Sequence, residues 1–100
     1  MRNIRITTPF KKDIKRLEKT PLFRKNANTF EDYVERLRTG QALPEKASHH
    51  TLAKHSPKKL KGCGDFHVAP DLCVLYRITD DELQLLRIGK HNQLELTENV

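Results

Sequence analysis

Residues 72–88 read LCVLYRITDDELQLLRI, and the period of this stretch decides the fold. Leu72 to Thr79 forms a strand pattern, Asp80-Asp81-Glu82 a turn, and Leu83 to Ile88 an antiparallel partner. Upstream, Lys59 to Lys61 and Asp65 to Val68 have the composition of strand pieces around a turn or bulge at Gly62-Cys63-Gly64. Before them, Gln41 to Pro57 shows no periodicity. Pro44, His49, His50, His55 and Pro57 mark it as a long ordered loop, and loops of that length in small domains are often functional.

The first forty residues change to a helical period. Residues 2–7 are a short half-buried strand, with Ile4 and Ile6 turned one way and Arg5 the other. Thr8-Pro9 reads as an N-cap followed by proline, opening a helix over about residues 9–19 with Phe10, Ile14 and Leu17 on one stripe. Thr20-Pro21 ends it. Leu22 and Phe23 allow one more turn before a break at Asn26-Ala-Asn28. Thr29 then caps a second helix, about 30–39, carrying Phe30, Tyr33, Val34 and Leu37. Gly40 stands where a left-handed C-terminal residue belongs. The order β-α-α-β-β-β predicts an α+β domain spanning residues 1–100, with an antiparallel sheet packing one face on two N-terminal helices and leaving the other open.

Composition narrows the function classes. One hundred residues with 36% apolar and 32% charged side chains make one modest core. No apolar run approaches the roughly 20 residues that span a bilayer, and the N-terminus has no signal-peptide pattern, which points to the cytoplasm. Two cysteines, Cys63 and Cys73, cannot build a disulfide framework. The net charge is +6, but residues 1–61 hold 16 basic and 6 acidic side chains while residues 62–100 hold 3 and 7. Such polarity suits an anionic partner, nucleic acid or an acidic protein segment, and charge alone suits a solvated lysine-rich surface equally well.

Five histidines are many for this length. In Asp65-Phe66-His67-Val68 the apolar pair faces one way, so His67 faces the other. His55 lies in the basic loop, His91 follows Gly89-Lys90 after the last strand, and Asp71 follows Pro70 at a turn. Taken singly, each histidine is more often a surface or cap residue, His49 and His50 above all, and Asp71 a turn residue. Together, imidazoles, a carboxylate and cations suit proton transfer at an RNA phosphodiester. A base takes the 2′-hydroxyl proton, cations support the phosphorane, and an acid protonates the leaving 5′-oxygen. Lys54, Lys58, Lys59 and Lys61 crowd around His55 and read equally as phosphate contacts or as a charged edge that blocks aggregation. A zinc site from Cys63, His67 and Cys73 lacks the usual ligand spacing. Cys73 fits a packed thiol, and Cys63, between glycines, an exposed one.

The second half resembles a known family. His55, then Lys61-Gly62, then Asp65-Phe66-His67-Val68-Ala69-Pro70-Asp71, then Leu75-Tyr76-Arg77-Ile78 and Leu85-Leu86-Arg87-Ile88-Gly89-Lys90-His91 look like the YafQ branch of the RelE-type toxins. The resemblance implies a RelE-like β-α-α-β-β-β fold and a toxin of a type II toxin–antitoxin pair. It further implies an mRNA endoribonuclease that acts on the ribosome without metal or other cofactor. An antitoxin encoded alongside would hold it inactive and would alone link it to operator DNA. His67, Asp71 and His91 match the family's catalytic positions. His55 matches its loop histidine with a spacing one residue shorter, and Arg87 matches a basic strand residue. Lys58, Lys59, Lys61 and Arg87 are thus expected to hold phosphate. Relatives often carry tryptophan where Leu72 stands and phenylalanine where Glu95 stands. Those departures keep open a second reading, a non-catalytic basic module of the same fold that binds RNA or an acidic antitoxin segment.

Overall fold

The computed structural model describes residues 1–47, 50–51 and 63–90. Strand β1 (Asn3–Ile6) leads into helix α1 (Thr8–Leu17) and helix α2 (Pro21–Arg38). A 3-10 turn (Glu45–Ala47) and a two-residue strand β2 (His50–Thr51) follow, then β3 (Cys63–Ala69), β4 (Leu72–Ile78) and β5 (Glu82–Gly89). The strands lie in the order β1-β5-β4-β3-β2.

The β4–β5 hairpin forms as its sequence predicts, one residue longer at each end of β5. Its turn closes with the Thr79 N–H on the Glu82 carbonyl at 3.0 Å and the Glu82 N–H on the Thr79 hydroxyl at 3.2 Å. The C-terminal meander is antiparallel. The complete sheet is mixed, because β1 pairs with β5 in parallel, Asn3 opposite Glu82 and Ile6 opposite Leu85.

Thr7, rather than Thr8, caps α1. Its hydroxyl oxygen accepts from the Phe10 N–H and donates to the Leu86 carbonyl at 3.0 Å, so the cap also ties the helix to β5. Proline falls at the second helical position, where its missing N–H is no loss. The expected break at Asn26-Ala-Asn28 does not occur. Thr20 is the N-cap and α2 runs 18 residues without interruption. The physical reason is tertiary. Asn26 satisfies its amide within the helix by donating to the Leu22 carbonyl at 2.8 Å. Phe23 and Phe30 meet at 6.0 Å between centroids, and Phe10 stacks on Phe30 at 6.1 Å. Burying an aromatic ring stabilises by about 1.5–3 kcal/mol, more than the roughly 0.7 kcal/mol that a poor helix former costs. Gly40 closes α2 at φ +80°, the left-handed position expected of it.

Three other expectations give way. Ile4 and Ile6 do not make β1 a half-buried strand. Each is 43% exposed, because β1 is the outer strand and is held mainly by backbone bonds. The sheet face away from the helices is not open along its central strands, where Cys63, Asp65, Cys73 and Leu75 are all buried. The loop expected over 41–57 contains short regular elements: Glu45–Ala47 form a 3-10 turn with Ala47 fully buried, and His50–Thr51 form a strand in which the backbone of His50 pairs with Asp65. His49 and the strand piece expected at 59–61 lie outside the described residues.

On the helix side the core gathers Phe10, Tyr33, Val34, Leu37, Phe66, Val68, Val74, Tyr76, Leu83, Leu85 and Ile88. Phe66 anchors it, edge-on to Tyr33 at 5.9 Å. No helix among the described residues is long and apolar enough to cross a membrane.

Candidate active site

β3 sends Phe66 and Val68 into the core, so alternation turns His67 to the opposite face, where it is half-buried. The register shifts between His67 and Ala69, after which Pro70 and Asp71 make a two-residue turn and Ala69 pairs with Leu72. Proline suits the first turn position because its φ is already set, and Asp71 at the second is exposed. His67 faces Cys73 across β3–β4, and Cys73 faces Gly89 across β4–β5. One cross-strand row therefore joins His67 to the end of β5, two strand spacings or about 10 Å away. The chain runs on from there through the exposed Lys90 to His91. His91, His55, Lys58, Lys59 and Lys61 lie outside the described residues.

Asp65, Leu75 and Arg87 form the next row. The ladder is irregular here, with Leu75 paired to Arg87 but Tyr76 to Leu85, so β5 carries one extra residue. Arg87 reaches α1 and bonds to Asp13: Nε donates to Oδ2 at 2.7 Å and Nη2 to Oδ1 at 3.1 Å. The Ile88 N–H also donates to Oδ2 at 3.1 Å, and Arg16 reaches Oδ1 at 3.0 Å. Burial alone would push the Asp13 carboxyl up. The bonds from Arg87 and Ile88, with the charges of Arg87 and Arg16, outweigh that and hold it below its ordinary value. Arg87 is raised in turn, chiefly by its bonds to Asp13. The side chain of Asp13 is 3% exposed and that of Arg87 is 38% exposed, so the anion is hidden and the cation reaches solvent.

Asp13 is the residue that sequence reasoning missed, and the signal was present. It stands three residues after Phe10 and just before Ile14, on the stripe assigned to the core. A carboxylate at a core position calls for a buried cationic partner. Also unforeseen is a cleft of about 590 Å³ beside His67, lined by Asn26, Thr29, Tyr33 and Lys46 together with Val68, Ala69 and Pro70.

The thiols do not join the site. Cys73, beside His67, is pushed up to about 12 by burial and by the charge of Asp65, so it stays protonated. Cys63 is buried, not exposed as its glycine neighbours suggested. It is four residues from His67 along β3, about 13 Å, so Cys63, His67 and Cys73 do not converge. Among the described residues no three metal-ligating side chains gather. Leu72 belongs to the core and presents no stacking surface.

The half-buried imidazole and the anchored guanidinium stand in two adjacent rows, and the exposed carboxylate in the turn at the end of β3. Such a set brings together proton-carrying side chains and a cation able to hold an anion.

Comparisons with known proteins bear on the family and the fold. Residues 2–96 match the family described as bacterial toxin of type II toxin–antitoxin system, YafQ. A metal-bound toxin from Helicobacter pylori is 32% identical with a TM-score of 0.77, covering 94% of this chain and 99% of that one. The YafQ structure from an Escherichia coli DinJ–YafQ complex is 29% identical with a TM-score of 0.74, covering 94% and 98%. The YoeB dimer from Staphylococcus aureus, 14% identical with a TM-score of 0.69 over 90% and 97%, shares the fold. No curated protein sequence is matched.

Proposed function

This chain belongs to the YafQ family of bacterial toxins of type II toxin–antitoxin systems, and from that membership we propose that it is an mRNA endoribonuclease using metal-independent acid–base catalysis. The observation that carries the reading is the cross-strand row that joins His67 through Cys73 to Gly89 at the end of β5, with the Asp71 turn at the end of β3 and Arg87 one row away. His67 and His91 carry the proton transfers, assisted by Asp71 and His55. One base removes the proton from the ribose 2′-hydroxyl, the 2′-oxygen bonds to phosphorus, the P–O5′ bond breaks, and one acid protonates the departing 5′-oxygen. Because the nucleophile is the substrate's own hydroxyl, no metal-activated water is needed. Arg87, Lys58, Lys59 and Lys61 hold phosphate and offset the charge of the phosphorane.

The partner reading follows from charge and kinship. Escherichia coli YafQ was solved in complex with DinJ, and a +6 chain suits an acidic antitoxin segment. The cognate antitoxin is a neighbouring gene product, operator DNA is reached only through it, and the substrate is mRNA on the ribosome in the cytoplasm. A second reading, a non-catalytic RNA- or antitoxin-binding module, is favoured by one observation: Leu72 is buried, so the turn after His67 lacks the aromatic surface that stacks a base at about 1–3 kcal/mol.

Expression of the chain alone in a bacterial host, against a His67→Ala/His91→Ala variant, separates the two. Growth arrest with newly mapped transcript 5′ ends from the unmodified chain only is the expected result. Equal arrest by both, with intact transcripts, overturns the nuclease and leaves the binding module.

A further inference from the structure

The carboxylate of Asp13 does more than neutralise a buried cation. It accepts four hydrogen bonds, two from Arg87, one from the Ile88 N–H and one from Arg16. It thus holds both the side chain and the backbone at the end of β5 from which the chain continues to His91. Its two bonds to Arg87 use the Nε edge of the guanidinium. A guanidinium has five N–H donors, so three remain, two on Nη1 and one on Nη2, forming an end-on fork. Among the described residues nothing fills that fork, and Arg87 is more than a third exposed. Asp13, Arg16 and Arg87 together keep a net charge of +1. The cluster is therefore still attractive to an anion after its internal pairing.

We propose that Asp13 is a positioning residue of the ribonuclease site: it aims the free fork of Arg87 at a phosphodiester oxygen and fixes the end of β5 in the row that leads to His67. The inference rests on the ribonuclease reading above and deepens it by assigning an anchor to the phosphate-holding group. An arginine on an exposed strand end loses rotamer freedom each time it meets substrate. One already bonded on its Nε edge presents two parallel donors in a fixed plane, the geometry that matches a phosphate. Because the phosphorane carries more charge than the ground-state diester, the benefit falls mainly on the transition state.

The test is cleavage of a defined mRNA by purified protein with ribosomes, followed by primer extension, for the unmodified chain, Asp13→Asn, Asp13→Glu and Arg87→Ala. Thermal melting of each variant is measured in parallel. The expected result is a kcat lower by roughly 10–100-fold for Asp13→Asn with KM nearly unchanged. The double variant Asp13→Asn/Arg87→Ala is expected to cleave no more slowly than Arg87→Ala alone. Asp13→Glu keeps the charge and the fold but moves the carboxylate by one methylene, so it carries the test if Asp13→Asn does not fold. A kcat lowered by about tenfold at an unchanged melting temperature is then expected. Unmodified kcat in folded Asp13→Asn or Asp13→Glu, or rate losses that simply multiply in the double variant, would mean a structural ion pair and overturn the inference alone. A wild-type chain that cuts no message overturns the ribonuclease reading, and the inference with it.

Discussion

The two sides of the candidate site are built on opposite terms. At the end of β5, Arg87 is pinned by a carboxylate hidden beneath α1. At the β3–β4 turn, His67 is half-buried beside an open cleft and Asp71 is exposed. The contrast follows from the work each side would do. A group that must stay charged gains from a buried counter-ion that never leaves. Groups that pass protons to and from a substrate must reach it from the surface, as the half-buried His67 and the exposed Asp71 do. Stability and chemistry are thus placed on different strands of one row system.

The sharpest way to break this contrast is Asp13→Ala, which strands Arg87 and removes the partner of the Ile88 N–H. A loss of about 3–5 kcal/mol is expected, read from the urea midpoint at constant m-value. Acid tests the same anchor without mutation. The folded-state carboxyl of Asp13 lies below its ordinary 3.8, so its contribution is complete above the unfolded value and is lost as pH falls through the folded one. Urea midpoints should therefore drop more steeply below about pH 4 for the unmodified chain than for Asp13→Asn; parallel curves would remove Asp13 from the acid response. On the other side the stability effects shrink. His67→Ala should cost only about 1 kcal/mol in folding while lowering the cleavage rate by about 10²-fold or more. Asp71→Asn, at an exposed turn, should leave the melting free energy within about 0.5 kcal/mol while slowing cleavage. If Asp71→Asn proved as destabilising as Asp13→Ala, the division between the two sides would fail.

A second pair of regions shows where local sequence is a good guide and where it is not. The β4–β5 hairpin and the Gly40 helix end were legible because turn chemistry and alternation act over a few residues. The N-terminal strand was legible in kind but not in burial. Ile4 and Ile6 alternate like core residues, yet nothing local records that β1 would be the outermost strand. The continuous α2 shows the converse. Asn26, Asn28 and Thr29 are poor helix formers, and only the packing of Phe23, Phe30 and Phe10 overrides them.

The site divides in the same way. That His67 faces away from Phe66 and Val68, and that Asp71 sits in a turn after Pro70, follow from alternation and from proline's fixed φ, so the chain alone determined them. That His67 shares a row with Gly89 depends on register over three strands. That Arg87 points at α1 depends on one extra residue in β5 and on a helix 74 positions earlier in the chain. A carboxylate on an apolar stripe announces that a partner is required, but not which cation supplies it. That choice is made only when helix and strand pack, because hydrogen-bonded charge pairing acts over a few ångströms in space and is blind to separation along the chain.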